Sequence, residues 1–130
     1  MGGSTTTASF IDCYSRVTIS SGGLSGGFGG DGNESVNTSV LMINNCYTSV
    51  TFVNGTFKCN SFVGRGQYNS NDSVTNSYYD KQKFTNPNNT TYSGTGLTTE
   101  QMQTQSSYVG WDFENTWYMG DDGYPELKFD

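Results

Sequence analysis

Ile43-Asn44-Asn45-Cys46-Tyr47-Thr48 is the stretch whose reading decides the fold. It is the second copy of a pattern that begins as Phe10-Ile11-Asp12-Cys13-Tyr14-Ser15 and returns as Val74-Thr75-Asn76-Ser77-Tyr78-Tyr79. Each copy sets an apolar residue, one spacer, Asp or Asn, a small Cys or Ser, and then Tyr. The small residue recurs 33 positions on, from 13 to 46, and again 31 positions on, from 46 to 77. Self-similarity at a period of roughly 20–50 residues is the signature of architectures in which each repeat stacks on the last. In such a stack like residues lie over like, so Cys and Ser suit a tight interior place and Asp or Asn suits the turn before a strand.

Working outward, the residues after each Cys alternate. Cys13, Ser15, Val17 and Ile19 fall on one face and Tyr14, Arg16 and Thr18 on the other. The second copy repeats this with Cys46, Thr48, Val50 and Phe52 against Tyr47, Ser49 and Thr51. A period of two is a strand with one buried face. The expected buried face is that of the Cys, which leaves the Tyr face outward. In the third copy Lys81 and Lys83 stand where Val and Ile or Phe stood, so the stack is expected to end there, because a terminal unit has no neighbour to bury against. Gly22-Gly23-Leu24-Ser25-Gly26 and Ser61-Phe62-Val63-Gly64 follow the first and second strands and read as corners. Asp31 to Ser39 and Arg65 to Asp72 read as protruding loops.

Composition agrees with strands. The 130 residues suffice for one domain. Apolar residues are 32%, against roughly 45–50% (Gly included) in an ordinary globule, yet aromatics reach 15% and there are two Pro, a balance that favours strands over disorder. Net charge is −6 with six scattered Lys and Arg, which excludes nucleic acid as a partner. No stretch approaches the roughly 20 apolar residues of a membrane span. The start, Met1-Gly2-Gly3-Ser4-Thr5, has neither a basic nor an apolar signal region, so the chain is expected to be part of a longer polypeptide. His is absent, which removes Ser-His-Asp and Cys-His catalysis and His-ligated zinc.

The repeats resemble the GLUG-motif family of secreted bacterial proteins, whose unit joins a Gly-Gly-Leu-Val-Gly turn to an apolar-x-Asn-Cys-Tyr strand. Asn45-Cys46-Tyr47 and Asn76-Ser77-Tyr78 match it, Asp12-Cys13-Tyr14 is a close variant, and Gly22-Gly23-Leu24-Ser25-Gly26 has Ser where the motif has Val. The tail from Gly96-Leu97-Thr98-Thr99-Glu100-Gln101-Met102, through Val109-Gly110-Trp111-Asp112-Phe113 and Trp117, to Gly123-Tyr124-Pro125-Glu126-Leu127 is similar to the segment that closes such arrays. The resemblance runs from about Phe10 onward. It implies a parallel β-solenoid at a bacterial surface, in adhesin-like proteins or beside immunoglobulin A peptidases, and names no ligand.

The tail has its own physics. Thr98 as N-cap and Gln101 at N3 make a capping box, with Leu97 and Met102 as its hydrophobic staple, so a short helix is expected from Thr99. Tyr108, Trp111, Phe113, Trp117 and Tyr118 form an aromatic run expected to plug the open end of the stack, where unpaired backbone groups would otherwise invite edge pairing. Tyr124-Pro125 leads into a last short strand.

Tyr14, Tyr47 and Tyr78 are the candidate ligand-binding residues: an outward aromatic strip able to stack on sugar rings, weighed against the preferred reading of a packing ladder. Gly26-Gly27-Phe28-Gly29-Gly30-Asp31 begins a calcium nonapeptide, but Asn33 stands at its large apolar position and no second copy follows, so no metal is assigned. Asp121-Asp122-Gly123 reads as a plain turn. Asp12 is the one acidic member of its ladder, and Asp112, Glu114, Asp121 and Asp122 fall in the tail, so no catalytic pair and no cofactor are assigned. Trp111 and Trp117 read as core. Cys13 and Cys46, one rung of about 4.8 Å apart, read as buried thiols, and Cys59 has no evident partner. Sequons such as Asn54-Gly55-Thr56 carry little weight in a chain this rich in Asn and Thr.

The expected fold is therefore all-β: a short right-handed parallel β-solenoid (β-helix) over residues 1–93 and a small C-terminal aromatic cap with one short helix over 94–130. The expected function is a non-catalytic structural or adhesive module of a large secreted or cell-surface bacterial protein. A glycan or protein of a host or cell surface is the expected partner. The alternative is an accessory, carbohydrate-binding module of a secreted hydrolase or peptidase.

Overall fold

The computed structural model describes residues 7–19, 25–26, 29–30, 40–52, 59–60, 62–64, 73–83 and 94–129. In chain order the strands are β1 (Thr7–Ile11), β2 (Tyr14–Ile19), β3 (Ser25–Gly26), β4 (Gly29–Gly30), β5 (Val40–Asn44), β6 (Tyr47–Phe52), β7 (Cys59–Asn60), β8 (Val63–Gly64), β9 (Ser73–Thr75), β10 (Tyr78–Asp80), β11 (Thr95–Leu97), β12 (Trp117–Met119) and β13 (Pro125–Leu127). One helix, α1 (Thr99–Met102), and a 3-10 turn at Gln105–Ser107 lie between β11 and β12. The protein is mostly β, and its repeated strands pair in parallel.

The three sequence copies lie beside one another in the register their spacing predicts. β1, β5 and β9 form one parallel sheet, and β2, β6, β10 and β11 another. Tyr14 faces Tyr47 across β2 and β6, at the 33-residue period, and Tyr47 faces Tyr78 across β6 and β10, at the 31-residue period. Phe10, Ile43 and Val74 are matched in the same way across the other sheet. Short parallel pairs β3–β7 and β4–β8 continue the pairing of the first two copies.

Between the two sheets each copy turns a corner, and the corner explains the motif. Asp12, Asn45 and Asn76 have φ of 54°, 55° and 46°. Asn and Asp enter this left-handed region more readily than other L-residues because their short polar side chains bond locally. The motif thus selects Asx for backbone conformation at a turn. The next residue then reaches back over the corner: the Cys13 and Cys46 thiols donate to the carbonyls of Ile11 and Asn44 (both 3.2 Å), and the Ser77 hydroxyl donates to that of Thr75 at 2.8 Å. Cys and Ser interchange here because both are small and both donate. Backbone bonds carry the ladder through the corner, with Tyr47 N donating to Cys13 O (3.1 Å) and Tyr78 N to Cys46 O (2.9 Å). Cys46 N also donates to Ser77 Oγ at 3.1 Å.

Inside the corner Ile43, Cys46 and Phe62 form a small core with Phe10, Cys13 and Val74 against it. Phe62 is fully buried, and Gly94, at φ 79°, passes so close that an added Cβ would stand 2.9 Å from its ring. Cys13 and Cys46 are free thiols. Burial pushes the Cys46 thiol up to about 12.

Two expectations are corrected. The stack does not end at the third copy: β11 pairs in parallel with β10, Tyr78 facing Thr95. Its three residues, Thr-Gly-Leu, carry no alternation and sit 17 positions on, outside the repeat period. The second correction concerns the Tyr face. Tyr47 is 0% exposed and Tyr78 8%, both in the larger core with Met102, Tyr108, Trp111, Trp117 and Tyr124. The C-terminal segment folds back over the side of the second sheet, so both faces of β6 are covered near Cys46 and Tyr47. The aromatic run packs on the Tyr face of that sheet.

The segment itself follows its local signals. Thr98 caps α1, its Oγ accepting from Gln101 N at 3.1 Å while Thr98 N donates to Gln101 Oε1 at 2.9 Å. Met102 is buried, and Leu97 packs against the same core. β12 and β13 pair antiparallel, Trp117 facing Leu127. No helix is long and apolar enough to cross a membrane among the described residues. The stretches Asp31 to Ser39 and Arg65 to Asp72, expected to be loops, lie outside the described residues, as do the sequon at Asn54 and most of the Gly-rich stretch with its calcium-like motif.

Candidate functional site: the aromatic junction and its flanking recesses

The Tyr rung is the foundation of the junction. Tyr14 and Tyr47 stack with centroids 5.2 Å apart and planes within 5°. Tyr47 is ringed by Tyr108, Trp111, Trp117 and Tyr124 at 6.1–6.3 Å. Tyr78 meets Tyr108 edge-on at 5.4 Å and 88°. The two indoles, Trp111 and Trp117, lie 4.3 Å apart at the centre. Two hydrogen bonds fix the cover on the sheet: Tyr47 Oη donates to Pro125 O and Trp111 Nε1 to Asn76 O, both at 2.7 Å. Burial pushes the Tyr47 and Tyr108 phenols well above their ordinary range, so they stay donors. The Trp117 indole N–H is buried with no partner among the described residues.

This geometry removes the outward aromatic strip. Stacking on a sugar needs a free ring face, and Tyr47 and Tyr78 offer none. Tyr14 is half-buried, with one face against Tyr47. The three tyrosines are brought together as a packing ladder whose partners are the aromatics of the tail. Strand parity placed them opposite Cys correctly, but it carried no information on what returns to cover that face.

Residues to which sequence reasoning gave no tertiary role hold the edge of the junction. Arg16 pairs with Asp122, and its guanidinium lies 5.8 Å from the Tyr14 centroid and 5.2 Å from that of Tyr124. Partial burial works against the Arg16 charge, but the Asp122 hydrogen bond and the neighbouring tyrosines hold its pKa above the ordinary value. The Arg16 hydrogen bond in turn holds the Asp122 carboxyl below the usual range. Asp80, fully buried, accepts from Thr99 Oγ1 (2.9 and 3.1 Å) and from the backbone of Gln82 and Lys83, tying β10 to α1. Asp112 ties the turn before β12, accepting from the Asn115 and Glu114 amides. An Asp that ends a strand or opens a polar turn is the signal that marks Asp80 and Asp112. Nothing in the sequence pairs Arg16 with a residue 106 positions away.

Among the described residues, two recesses flank Arg16. One, of about 240 Å³, is lined by Arg16, Val17, Thr18, Ser49, Thr51 and Lys83. The other, of about 250 Å³, is lined by Arg16, Tyr118, Asp121, Asp122 and Glu126. The first is basic and hydroxyl-rich, the second acidic. Among the described residues no three Asp, Glu or Cys side chains gather as a metal site.

Fold and junction together define a class: a β-rich module made by parallel stacking of sequence copies, with one sheet face sealed by its own aromatic C-terminal segment. Comparison with protein-family models, with curated proteins and with solved structures finds no match.

Proposed function

We propose that the chain is a structural or adhesive module of a large secreted or cell-surface bacterial protein, built as a short right-handed β-solenoid of GLUG-like coils over 1–93 and closed by 94–130. It carries no catalysis of its own. One observation supports this above the rest: successive copies lie parallel and in register at 33 and 31 residues, through both sheets of each copy. Parallel crossovers within one sheet are right-handed in about 98% of cases, which supports the hand. The chemistry-bearing groups support the non-catalytic reading, since Asp80, Asp112 and Asp122 are each engaged in tying structure together.

Beads coated with the full chain are expected to be retained on glycan-coated or protein-coated surfaces without releasing soluble sugar or peptide. Release of such fragments overturns the reading. A second reading, an accessory carbohydrate-binding module of a secreted hydrolase or peptidase, is favoured by the hydroxyl-rich recess beside Arg16. Retention on glycan surfaces alone, abolished by free sugar, selects it.

A further inference from the structure

The cover stops one row short of the exposed end of the second sheet. Arg16 faces Ser49 and Thr18 faces Thr51, two and four residues beyond the Tyr14–Tyr47 pair and therefore on the same face. The Tyr pair is roofed by Trp117 and Tyr124. Thr18 and Thr51 are exposed, and Lys83 stands at the side of the recess they share with Ser49.

Three features give this recess the chemistry of a binding site. Ser49 is 3% exposed, yet its hydroxyl has no hydrogen-bond partner among the described residues although it lines the cavity. That hydroxyl is closed off beneath the floor of the recess, so the groups open to a ligand are those of the exposed residues Thr18 and Thr51. Lys83 Nζ donates to Tyr124 Oη at 3.3 Å and lies 5.3 Å from that ring, which positions it; among the described residues no carboxylate pairs with it. Arg16 is balanced by Asp122, and Asp80 is enclosed by Thr99, Gln82 and Lys83 backbone or hydroxyl donors. Among the described residues, one cation without a carboxylate partner and the two exposed threonines therefore face one small space.

We propose that this recess binds a single carboxylate-bearing sugar residue, with Lys83 on the carboxylate and the hydroxyls of Thr18 and Thr51 on the sugar hydroxyls. The size fits one ring, since about 240 Å³ is below the roughly 300–1,000 Å³ of sites for drug-sized ligands. A polyanion is disfavoured by the acidic recess beyond Arg16 and by the net charge of −6. The site goes beyond the structural reading and does not depend on it, because bead adhesion and binding of a free sugar are separate measurements.

The test is an NMR titration of the full chain with D-glucuronate, D-glucose and sulfate. Glucuronate is expected to shift the amides of Ser49, Thr51 and Lys83 saturably, with glucose and sulfate at least about tenfold weaker. Lys83→Gln is expected to lower glucuronate affinity about tenfold, to the level of glucose, and Thr51→Val, which keeps the shape of an exposed strand residue, to weaken both sugars. Absence of a saturable shift overturns the proposal. So does sulfate or glucose binding as tightly as glucuronate, or unchanged affinity in both variants.

Discussion

At the scale of single residues, the left-handed corners carry the most specific expectation. Ala tolerates φ near 55° less readily than Asn does at position 45, while Gly has no Cβ to object. Asn45→Ala is expected to lose about 1–2 kcal/mol in urea unfolding, and Asn45→Gly to stay within about 0.5 kcal/mol of the parent. A second expectation concerns reactivity. The thiolate is the nucleophile, and burial keeps the Cys46 thiol almost wholly protonated at pH 8. Mass spectrometry after native iodoacetamide treatment at pH 8 should find Cys46 unmodified, and fully modified once urea is added. The Asx positions were legible as turns because their residue type recurs at the repeat period. Their positive φ was not, since the same residue types also serve turns at negative φ.

Among elements, the tie between β2 and the β12–β13 turn is testable by pH. Asp122 has its pKa depressed in the folded protein, chiefly by the Arg16 hydrogen bond. Its contribution is therefore present above the unfolded value of about 3.9 and is lost as pH falls through the lower folded value. The pair is half-exposed, so its worth at pH 7 is under about 1 kcal/mol. Asp122→Asn should be less stable than the parent at pH 7 by that amount, and the two unfolding curves should converge as pH drops well below 4. A gap that persists at pH 2 would rule out this pairing as the cause. The helix α1 was legible from Thr98 and Gln101 because a capping box is local. The strand β11 was not, because a three-residue Thr-Gly-Leu segment gains its identity only from the β10 edge it meets.

For the molecule as a whole, stability is concentrated where the repeats and the tail meet. Trp117 is fully buried and touches Tyr14, Tyr47 and Trp111. Trp117→Ala should cost about 3–5 kcal/mol, read as a lower urea midpoint, and should expose Tyr47 and Tyr78 to solvent together. The same change at Trp111 removes one more bond, the donation to Asn76 O. The stacking of copies was legible because identical residues repeat at a fixed spacing, and register follows from spacing. The covering of the Tyr face was not, because alternation along a strand distinguishes two faces without saying what approaches either.

The aromatic cover also couples, in time, residues about a hundred positions apart. Tyr14 and Arg16 near the beginning rest on Trp117, Asp122 and Tyr124 near the end. A polypeptide emerging N-terminus first from a ribosome must wait about a hundred residues before those partners arrive, an arrangement of the non-local kind that slows folding. Until then its tyrosines stay wet, and the core closes only when Trp117 and Tyr124 arrive to roof them.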